Sequence, residues 1–223
     1  SGSITTNSSV NLGHDPSLVN RYFALAYKAS VPKTYVPDDN FEAYLETHDA
    51  SGNVVSIGDA NSMGDGIANN DYVTTANISG VTSLDVNNQN ISDLTGIEDF
   101  VAIHTLKCHQ NQLNSIDISS LSNLHTFYCF ENQLSSLSVN SNTVLQNLHC
   151  YSNQLTSIDL SQNTVLYDLV IDRNQLTNLD LSYHPNLWRL YCFDNQITNL
   201  DITQNTALTN IQAQNNQLTS LDV

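Results

Sequence analysis

Apolar residues recur along this chain with a fixed spacing of 21 residues. Within one unit they follow the pattern L-x-x-L-x-C-x-x-N-Q-L-x-x-L-D-L, which is clearest from Leu145 to Leu160. A repeat period near 20 predicts a solenoid, in which each unit adds one short strand to a parallel sheet. The units begin at Val81, Ile103, Leu124, Leu145, Leu166, Leu187 and Leu208, and only the first step is longer, at 22 residues.

Each predicted strand alternates inward and outward residues. In Leu106-Lys107-Cys108, for example, the leucine and the cysteine point into the core and the lysine points outward. An asparagine follows each strand, where its amide can satisfy main-chain groups as the turn bends. We therefore assign structural roles to the leucines and to this column of asparagines, which is Asn111, Asn132, Asn153, Asn174, Asn195 and Asn216.

The part of the chain before the repeats is predicted to begin with a separate segment. Residues 1–34 carry no repeat. Asp15-Pro16 has the form of a helix start, with a capping aspartate followed by proline at the first helical position. We therefore expect one short helix over Ser17–Ala29, ended by Val31-Pro32-Lys33.

Residues 35–80 are predicted to form an N-terminal cap, because the first unit of a solenoid has no neighbour to bury it. Within the cap we expect a helix at 37–47, whose start is favoured by Asp38 and Asp39. Residues 48–80 have the composition of loops. The solenoid then occupies residues 81–223 as seven units, of which the last is incomplete.

Four cysteines share one column, the second inward position of the strand. Other units place Val86, Ile171 or Ala213 there, so the column selects small or medium apolar side chains, and a free cysteine behaves as one. Adjacent parallel strands also hold their Cβ atoms slightly too far apart for an unstrained disulfide. We therefore expect buried free thiols at Cys108, Cys129, Cys150 and Cys192.

The composition is strongly acidic, with 22 acidic residues against 6 basic ones and a net charge of −16. Such a charge repels phosphate backbones and anionic lipid, so we expect no nucleic-acid partner. No apolar run approaches the length of a membrane span, so we expect no membrane insertion.

Three segments, at residues 36–42, 63–77 and 91–98, resemble the capping region of secreted bacterial leucine-rich-repeat proteins. The repeat N-Q-L-T-x-L-D-L-S is similar to the same group and, more distantly, to internalin-type surface repeats. The resemblance covers about residues 34–223. It implies a leucine-rich-repeat solenoid with a parallel β-sheet on the concave face, an irregular convex side and a small helical N-terminal cap. It also implies an extracellular or outer-cell-surface location and a binding role, and it implies no catalytic residues.

The outward positions around each strand form the concave face, and here they depart from the small polar residues usual in such repeats. Seven aromatic side chains project from this face, and the only basic residues after residue 34, Lys107, Arg173 and Arg189, lie on it too. A contiguous band of exposed aromatics marks an interaction surface. The alternative is cross-strand stacking that only steadies the sheet. Our candidate ligand-binding residues are Lys107, Tyr128, Phe130, His149, Tyr151, Tyr167, Trp188, Arg189, Tyr191 and Phe193.

Metal chemistry is weakly indicated. The concave histidines His104, His109, His125 and His149 are expected to face a ligand rather than a metal, because zinc needs convergent ligands. The segment 59–66 resembles a calcium loop only partly, since Met63 occupies a ligand position and the closing glutamate is missing. We therefore expect no metal and no cofactor.

Repeated charges are interpreted as structural. A column of convex aspartates is expected to form Asx turns rather than a ladder of calcium sites, because Ser138 would interrupt such a ladder. The pairs Asp168–Arg189 and Arg173–Asp194 are expected to be surface ion pairs that contribute little, the alternative being that they hold the aromatic side chains apart. The convex column is Asp117, Asp159, Asp180, Asp201 and Asp222.

The sequence thus predicts a recognition or adhesion module that binds a glycan or a protein on an aromatic concave face. It is not expected to be an enzyme, because an open face excludes water poorly. The alternative is a structural subunit. The last unit stops at Leu221-Asp222-Val223 with no polar cap, and we expect truncation or processing of a longer chain to be the reason. The second explanation is a homotypic head-to-tail contact, which would build a surface filament.

Overall fold

The repeats form a parallel β-solenoid in a computed structural model, in which the described residues are 30–222. Neighbouring strands are in register with an offset of one unit, so that Leu106 pairs with Phe127 and Phe127 pairs with Leu148. The strands begin one residue earlier than in the example above, and their middle residue points inward. The sheet runs in the order β3 (Ser83–Asp85), β4 (Thr105–Lys107), β5 (Thr126–Tyr128), β6 (Asn147–His149), β7 (Asp168–Val170), β8 (Arg189–Tyr191) and β10 (Asn210–Gln212).

The core is a set of stacked apolar columns. The inward strand residues, such as Leu148 and Leu169, are fully buried, and each such leucine contributes roughly 1.5–3 kcal/mol by leaving water. The cysteines lie in the next inward column, where all four thiols are free and buried. Burial raises the pKa of all four thiols, that of Cys192 to about 12.

The predicted asparagine column connects each unit to the unit before it. Asn153 Nδ2 donates to the carbonyls of Cys129 and Cys150 at 3.0 and 3.1 Å, and its Oδ1 accepts from the amide of Leu134 at 3.0 Å. This pattern, repeated along the column, confirms its structural role. The residue before each of these asparagines takes a left-handed backbone with φ between 51° and 55°, as at Arg173.

A second buried polar column lies on the other side of the core, and the sequence analysis did not single it out. Asn163 Nδ2 donates to the carbonyls of Val139 and Asn142 at 3.0 and 2.9 Å. In the next unit the asparagine is replaced by His184, whose Nε2 lies 3.2 Å from the carbonyl of Leu160. The column as a whole is Asn142, Asn163, His184 and Asn205.

The convex side consists mainly of turns, and two short strands, β9 (Asn199–Asp201) and β11 (Ser220–Asp222), pair there in parallel. Asp159 and Asp180 accept the amide of the residue two positions on, each at 3.0 Å. Asp117 and Asp201 do the same at 2.9 Å. These four convex aspartates are therefore Asx-turn residues, as predicted.

The cap contains the predicted helix, α1 (Asp39–Thr47). Asp38 Oδ1 accepts the amides of Asn40 and Phe41 at 3.0 Å, which satisfies the free end of the helix. Asp38 Oδ2 accepts the amide of Ser92 at 2.8 Å, so one carboxylate joins the helix to the first unit. Burial raises the pKa of Asp38, but the bonds from Ser92 and Phe41 outweigh this effect and lower the pKa overall.

The stretch 48–80 is less irregular than predicted. It contains β2 (Tyr72–Thr74) and the short helix α2 (Thr75–Ile78), and a 3₁₀ helix follows at Ile97–Asp99. β2 pairs antiparallel with β1 (Lys33–Tyr35), which crosses the boundary that we placed between residues 34 and 35. The sequence signal was weak because each strand has only three residues.

The helix expected over Ser17–Ala29 lies outside the described residues. Of the helices that are described, none combines the length and the apolar character needed to cross a bilayer.

Candidate functional site

The parallel register determines how side chains meet on the concave face. Because each outward residue lies about 4.8 Å from its equivalent in the next unit, flat rings in one column stack on one another. Three columns of rings result, one at the last residue of each strand, one two residues further on, and one directly before the strand. The structure brings all ten predicted site residues onto this one face.

The rings stack face to face. His109, Phe130 and Tyr151 form one stack, with centroids 4.1 and 4.3 Å apart. Tyr128 stacks on His149 at 4.2 Å and an interplanar angle of 8°. Since their faces cover one another, these rings present edges to solvent. These pairs therefore stack across strands, and they remain part of a partly exposed surface.

The third column carries the most exposed aromatic pair of the face. Tyr167 and Trp188 lie parallel, with centroids 5.7 Å apart, and are 46% and 38% exposed. The two rings lie side by side at the edge of the sheet where the strands begin.

The unit that begins at Leu166 interrupts two of the columns. It places Val170 and Asp172 where the neighbouring units carry rings, and both are buried, at 7% and 2% exposed. Small side chains at these positions leave a gap in the aromatic surface. Two arginines lie over this gap.

Arg189 is held over the gap by a charged network. Its Nε donates to Asp168 Oδ1 at 2.6 Å, and its Nη2 donates to Asp168 Oδ2. The same Nη2 lies 3.2 Å from His149 Nε2, and Arg189 Cζ lies 5.4 Å from the centroid of the Tyr191 ring. The guanidinium therefore lies between His149 and Tyr191.

Asp168 is the residue that sequence reasoning missed at this site. We treated Asp168–Arg189 as an exposed pair that contributes little, but Asp168 is only 6% exposed and His149 Nε2 also lies 3.0 Å from its Oδ2. Burial raises the pKa of Asp168, but the bonds with His149 and Arg189 outweigh burial and lower the pKa overall. The sequence did contain a signal for Asp168. At the outward position that begins each strand, most units carry threonine or asparagine, whereas this unit carries a charged residue.

Arg173 is held much more loosely. Its Nη1 lies 3.5 Å from Asp172 Oδ2, its Nε lies 3.8 Å from Asp194 Oδ2, and its side chain is 55% exposed. Its Cζ lies 5.1 Å from the centroid of the Phe193 ring. Burial raises the pKa of the Asp172 carboxyl, and its own amide and Arg173 offset this only in part.

Lys107 lies beside Tyr128 near the N-terminal end of the sheet, where its Nζ is 3.4 Å from Asp85 Oδ2. It belongs to the face but not to the charged network around Arg189. His104 and His125 pack edge to face, with centroids 5.3 Å apart. Burial lowers the pKa of His109.

Carboxylates approach one another closely elsewhere, in the cap. Within residues 30–222, ligand atoms of Asp39, Glu42 and Asp71 lie within 4.8 Å of one another. Glu42 is already an internal acceptor, for the amides of Asn70 at 3.0 Å and Asp71 at 3.2 Å. In the calcium-like loop, Asp65 forms an ion pair with Lys33 at 2.6 Å.

Comparisons with solved structures place this architecture among known folds. The functional domain of InlJ from Listeria monocytogenes, which includes a cysteine ladder, matches 86% of this chain at 28% identity and a TM-score of 0.53. A leucine-rich-repeat protein of Leptospira interrogans matches 63% at 28% identity and a TM-score of 0.59. The Listeria monocytogenes internalin InlF matches 65% at 23% identity and a TM-score of 0.61, which shows the fold alone.

The chain spans half or less of the length of each of these proteins, 50%, 39% and 45% respectively. No protein-family model matches the chain, and no curated protein does.

The periodic core, the in-register parallel sheet and these neighbours define a leucine-rich-repeat solenoid. One of the neighbours with this fold is the Listeria monocytogenes internalin InlF. The InlJ domain offers a specific parallel, because this chain carries its own column of four buried cysteines.

Proposed function

We propose that this protein is a non-enzymatic recognition module that binds another protein across its concave face. The observation that carries the proposal is the cluster around Arg189. Its guanidinium lies against Trp188, at 6.0 Å from the ring centroid, and against Tyr191, at 5.4 Å. Tryptophan, tyrosine and arginine are the residues that dominate binding energy at protein interfaces, and they do so near the centre of the contact.

Ring orientation favours a protein partner over a glycan. A sugar stacks on the free face of an aromatic ring, whereas Phe130 and Tyr128 have at least one face covered by a neighbouring ring. Their edges and the tyrosine hydroxyls remain free to make the mixed apolar and hydrogen-bonding contacts of protein interfaces. An open parallel sheet also suits a large partner better than a small molecule. Glycan binding is kept as an outcome of the test.

An extracellular or outer-cell-surface location is part of the proposal and is supported by the resemblance to secreted and internalin-type repeats. Brief treatment of intact source cells with a protease that cannot enter them should remove the protein. If the protein survives this treatment until the cells are lysed, the location is wrong.

Site-specific photo-crosslinking tests the binding face. A photoreactive phenylalanine analogue at Tyr167 on the concave side should cross-link one partner protein from the native environment. The same analogue at Tyr183 is the matched control, because Tyr183 is similarly exposed, at 54%, but lies on the convex side. Equal cross-linking from both positions would contradict the proposal.

Substitution then identifies the class of ligand. Trp188→Ala with Tyr191→Ala should weaken the captured partner's affinity by about thirtyfold or more, as expected for two interface hot spots. A glycan array is probed with the same proteins in parallel. If array binding is lost in this variant while no protein cross-links, the ligand is a glycan.

The head-to-tail filament remains the second proposal. Light scattering of the chain over a hundredfold range of concentration measures its mass directly. A mass that rises with concentration would support homotypic assembly, and a constant monomer mass at the highest concentration would exclude it.

A further inference from the structure

We propose that the concave face recognises its partner through one cationic side chain, an arginine or a lysine, which inserts between Tyr151 and Phe193 above the Asp172 carboxylate. We call this place the Asp172 slot. The inference rests on the proposed function, because it names the chemistry that the same face selects.

The slot exists because a ring is missing from a regular stack. The rings of Phe130 and Tyr151 lie 4.3 Å apart in adjacent units. Asp172 occupies the next position of the column, and Phe193 the one after it. Tyr151 and Phe193 are therefore separated by about two strand spacings, or roughly 9–10 Å. Two rings that enclose one planar group at van der Waals contact need roughly 7 Å, so the slot admits a single guanidinium or an alkylammonium chain.

The carboxylate of Asp172 lies at the bottom of the slot and has no cation at hydrogen-bonding distance among the described residues. Asp172 is 2% exposed, and the nearest cationic nitrogen of the described residues is Arg173 Nη1 at 3.5 Å. A charge-assisted hydrogen bond is about 2.7–2.9 Å long. Its own amide and Arg173 offset the burial of the carboxylate only in part. A cation that reaches it from a partner would reduce the remaining cost.

Arg173 has the properties of a replaceable occupant. It is 55% exposed, has a left-handed backbone with φ of 51°, and contacts Asp172 and Asp194 only at 3.5 and 3.8 Å. Arg189, in the neighbouring column, shows what a well-bound guanidinium looks like on this surface. It is 27% exposed and donates to Asp168 Oδ1 at 2.6 Å. A partner's arginine would make with Asp172 the contacts that Arg189 makes with Asp168.

The charge of the molecule points to the same class of partner. A net charge of −16 attracts basic proteins and speeds their association. An acidic partner would find few free cations on the concave face as the structure describes it, because Lys107, Arg173 and Arg189 each lie near a carboxylate. The expected partner is thus a protein with an exposed arginine or lysine.

The experiment uses three blocked tripeptides, acetyl-Gly-X-Gly-amide, in which X is arginine, lysine or citrulline. Citrulline has nearly the shape of arginine but no charge. Binding to the full chain is measured by amide chemical-shift titration. We expect saturable binding of the arginine and lysine peptides and at least about tenfold weaker binding of the citrulline peptide.

Two substitutions with the same change of charge separate the slot from general attraction. Asp172→Asn should weaken the arginine peptide by about tenfold. Asp159→Asn on the exposed convex side should leave its affinity within about twofold, because general attraction depends on net charge and asparagine also forms Asx turns. Arg173→Ala should tighten binding several-fold, since the slot is then vacant.

Equal affinities of the Asp172→Asn and Asp159→Asn proteins would overturn the inference, as would citrulline binding equal to arginine binding. If Asp172→Asn fails to fold, unchanged or weaker binding by the Arg173→Ala protein overturns it instead. Cross-linking from Tyr167 is independent of these results. A partner captured there by a protein with no functional slot would leave the proposed function intact and refute only this inference.

Discussion

At the scale of single residues, the informative positions are those where one unit carries a residue type different from the equivalent positions of the other units. The residue type common to those positions indicates what the backbone requires there. Asp168 and Arg189 replace small polar residues and form a network with His149. Asp172 replaces a ring and leaves a gap. His184 replaces a buried asparagine, and it is the departure with the clearest consequence for stability.

The substitution at His184 predicts a dependence of stability on pH. Burial lowers the pKa of His184 below its ordinary value of 6.5, and the bonds with the carbonyl of Leu160 and at Leu181 offset burial only in part. The unfolded chain therefore takes up a proton near pH 6.5, whereas the folded chain does not until a lower pH. It follows that the contribution of His184 to the free energy of unfolding is fully present above pH 6.5 and decreases as the pH falls below it, by up to about 1.4 kcal/mol per pH unit.

Thermal melts at pH 7.5 and pH 5.5 test this prediction. His184→Asn restores the residue found at Asn163 and Asn205 and should reduce the loss of Tm on acidification by about 2–4 °C. His104→Asn, at an exposed position, is the control and should melt with the same pH dependence as the parent chain. If both variants show the same pH dependence, His184 does not control it.

At the scale of elements, the spacing between neighbouring strands sets the distance between equivalent aromatic rings. The spacing between strands is close to the distance between the centroids of stacked rings. An aromatic column therefore stacks without distortion, as at His109, Phe130 and Tyr151. Each stacked pair contributes about 0.5–1.5 kcal/mol beyond the burial of its area. The same rings thus serve stability and, through their edges, recognition.

Removing four of these rings separates the two roles. Replacing Tyr128, Tyr151, Trp188 and Tyr191 by alanine should abolish partner binding and lower Tm by several degrees, because three stacked pairs are lost while the inward columns remain intact. Calorimetry and the cross-linked partner's affinity are the two measurements. Tyr183→Ala, on the convex side, should change neither. A loss of the folded state in the fourfold variant would mean that the rings serve mainly to hold the sheet.

At the scale of the whole molecule, the solenoid is a one-dimensional stack in which each unit contacts only its neighbours. The apolar columns continue from unit to unit, and the two polar columns run alongside them, the second with His184 in place of one asparagine, so that a described unit between two others is buried on both sides. The four cysteines lie in four different units of this stack, from Cys108 to Cys192.

The thiols report on global opening. Because they are buried and their pKa values are raised, a thiol reagent at neutral pH should react negligibly with the native chain over the time of a rapid assay. In denaturant without reductant it should report four free thiols per chain. A count of zero or two would show that the cysteines are bridged.

Most of the fold could be predicted from the periodic pattern. The 21-residue repeat predicted the parallel sheet, the inward columns and the asparagine column, since each of these follows from chemistry repeated locally along the chain. The helix at 37–47 was predicted separately, from the acidic residues at its start. Strands β1 and β2 were not predicted. Each has three residues, and they pair with each other across 36 residues of intervening sequence that show no alternation.

What the sequence determined by itself is which residues share the concave face, because the register of a solenoid follows from its period. What only the tertiary structure decided is how those residues are arranged on the face. Arg189 lies over Val170 and bonds to Asp168, whereas Arg173 lies loosely over Phe193 beside a buried Asp172. The physical reason is that a repeat period sets backbone positions, whereas the direction of a long side chain depends on the space and the charges that the neighbouring units leave to it.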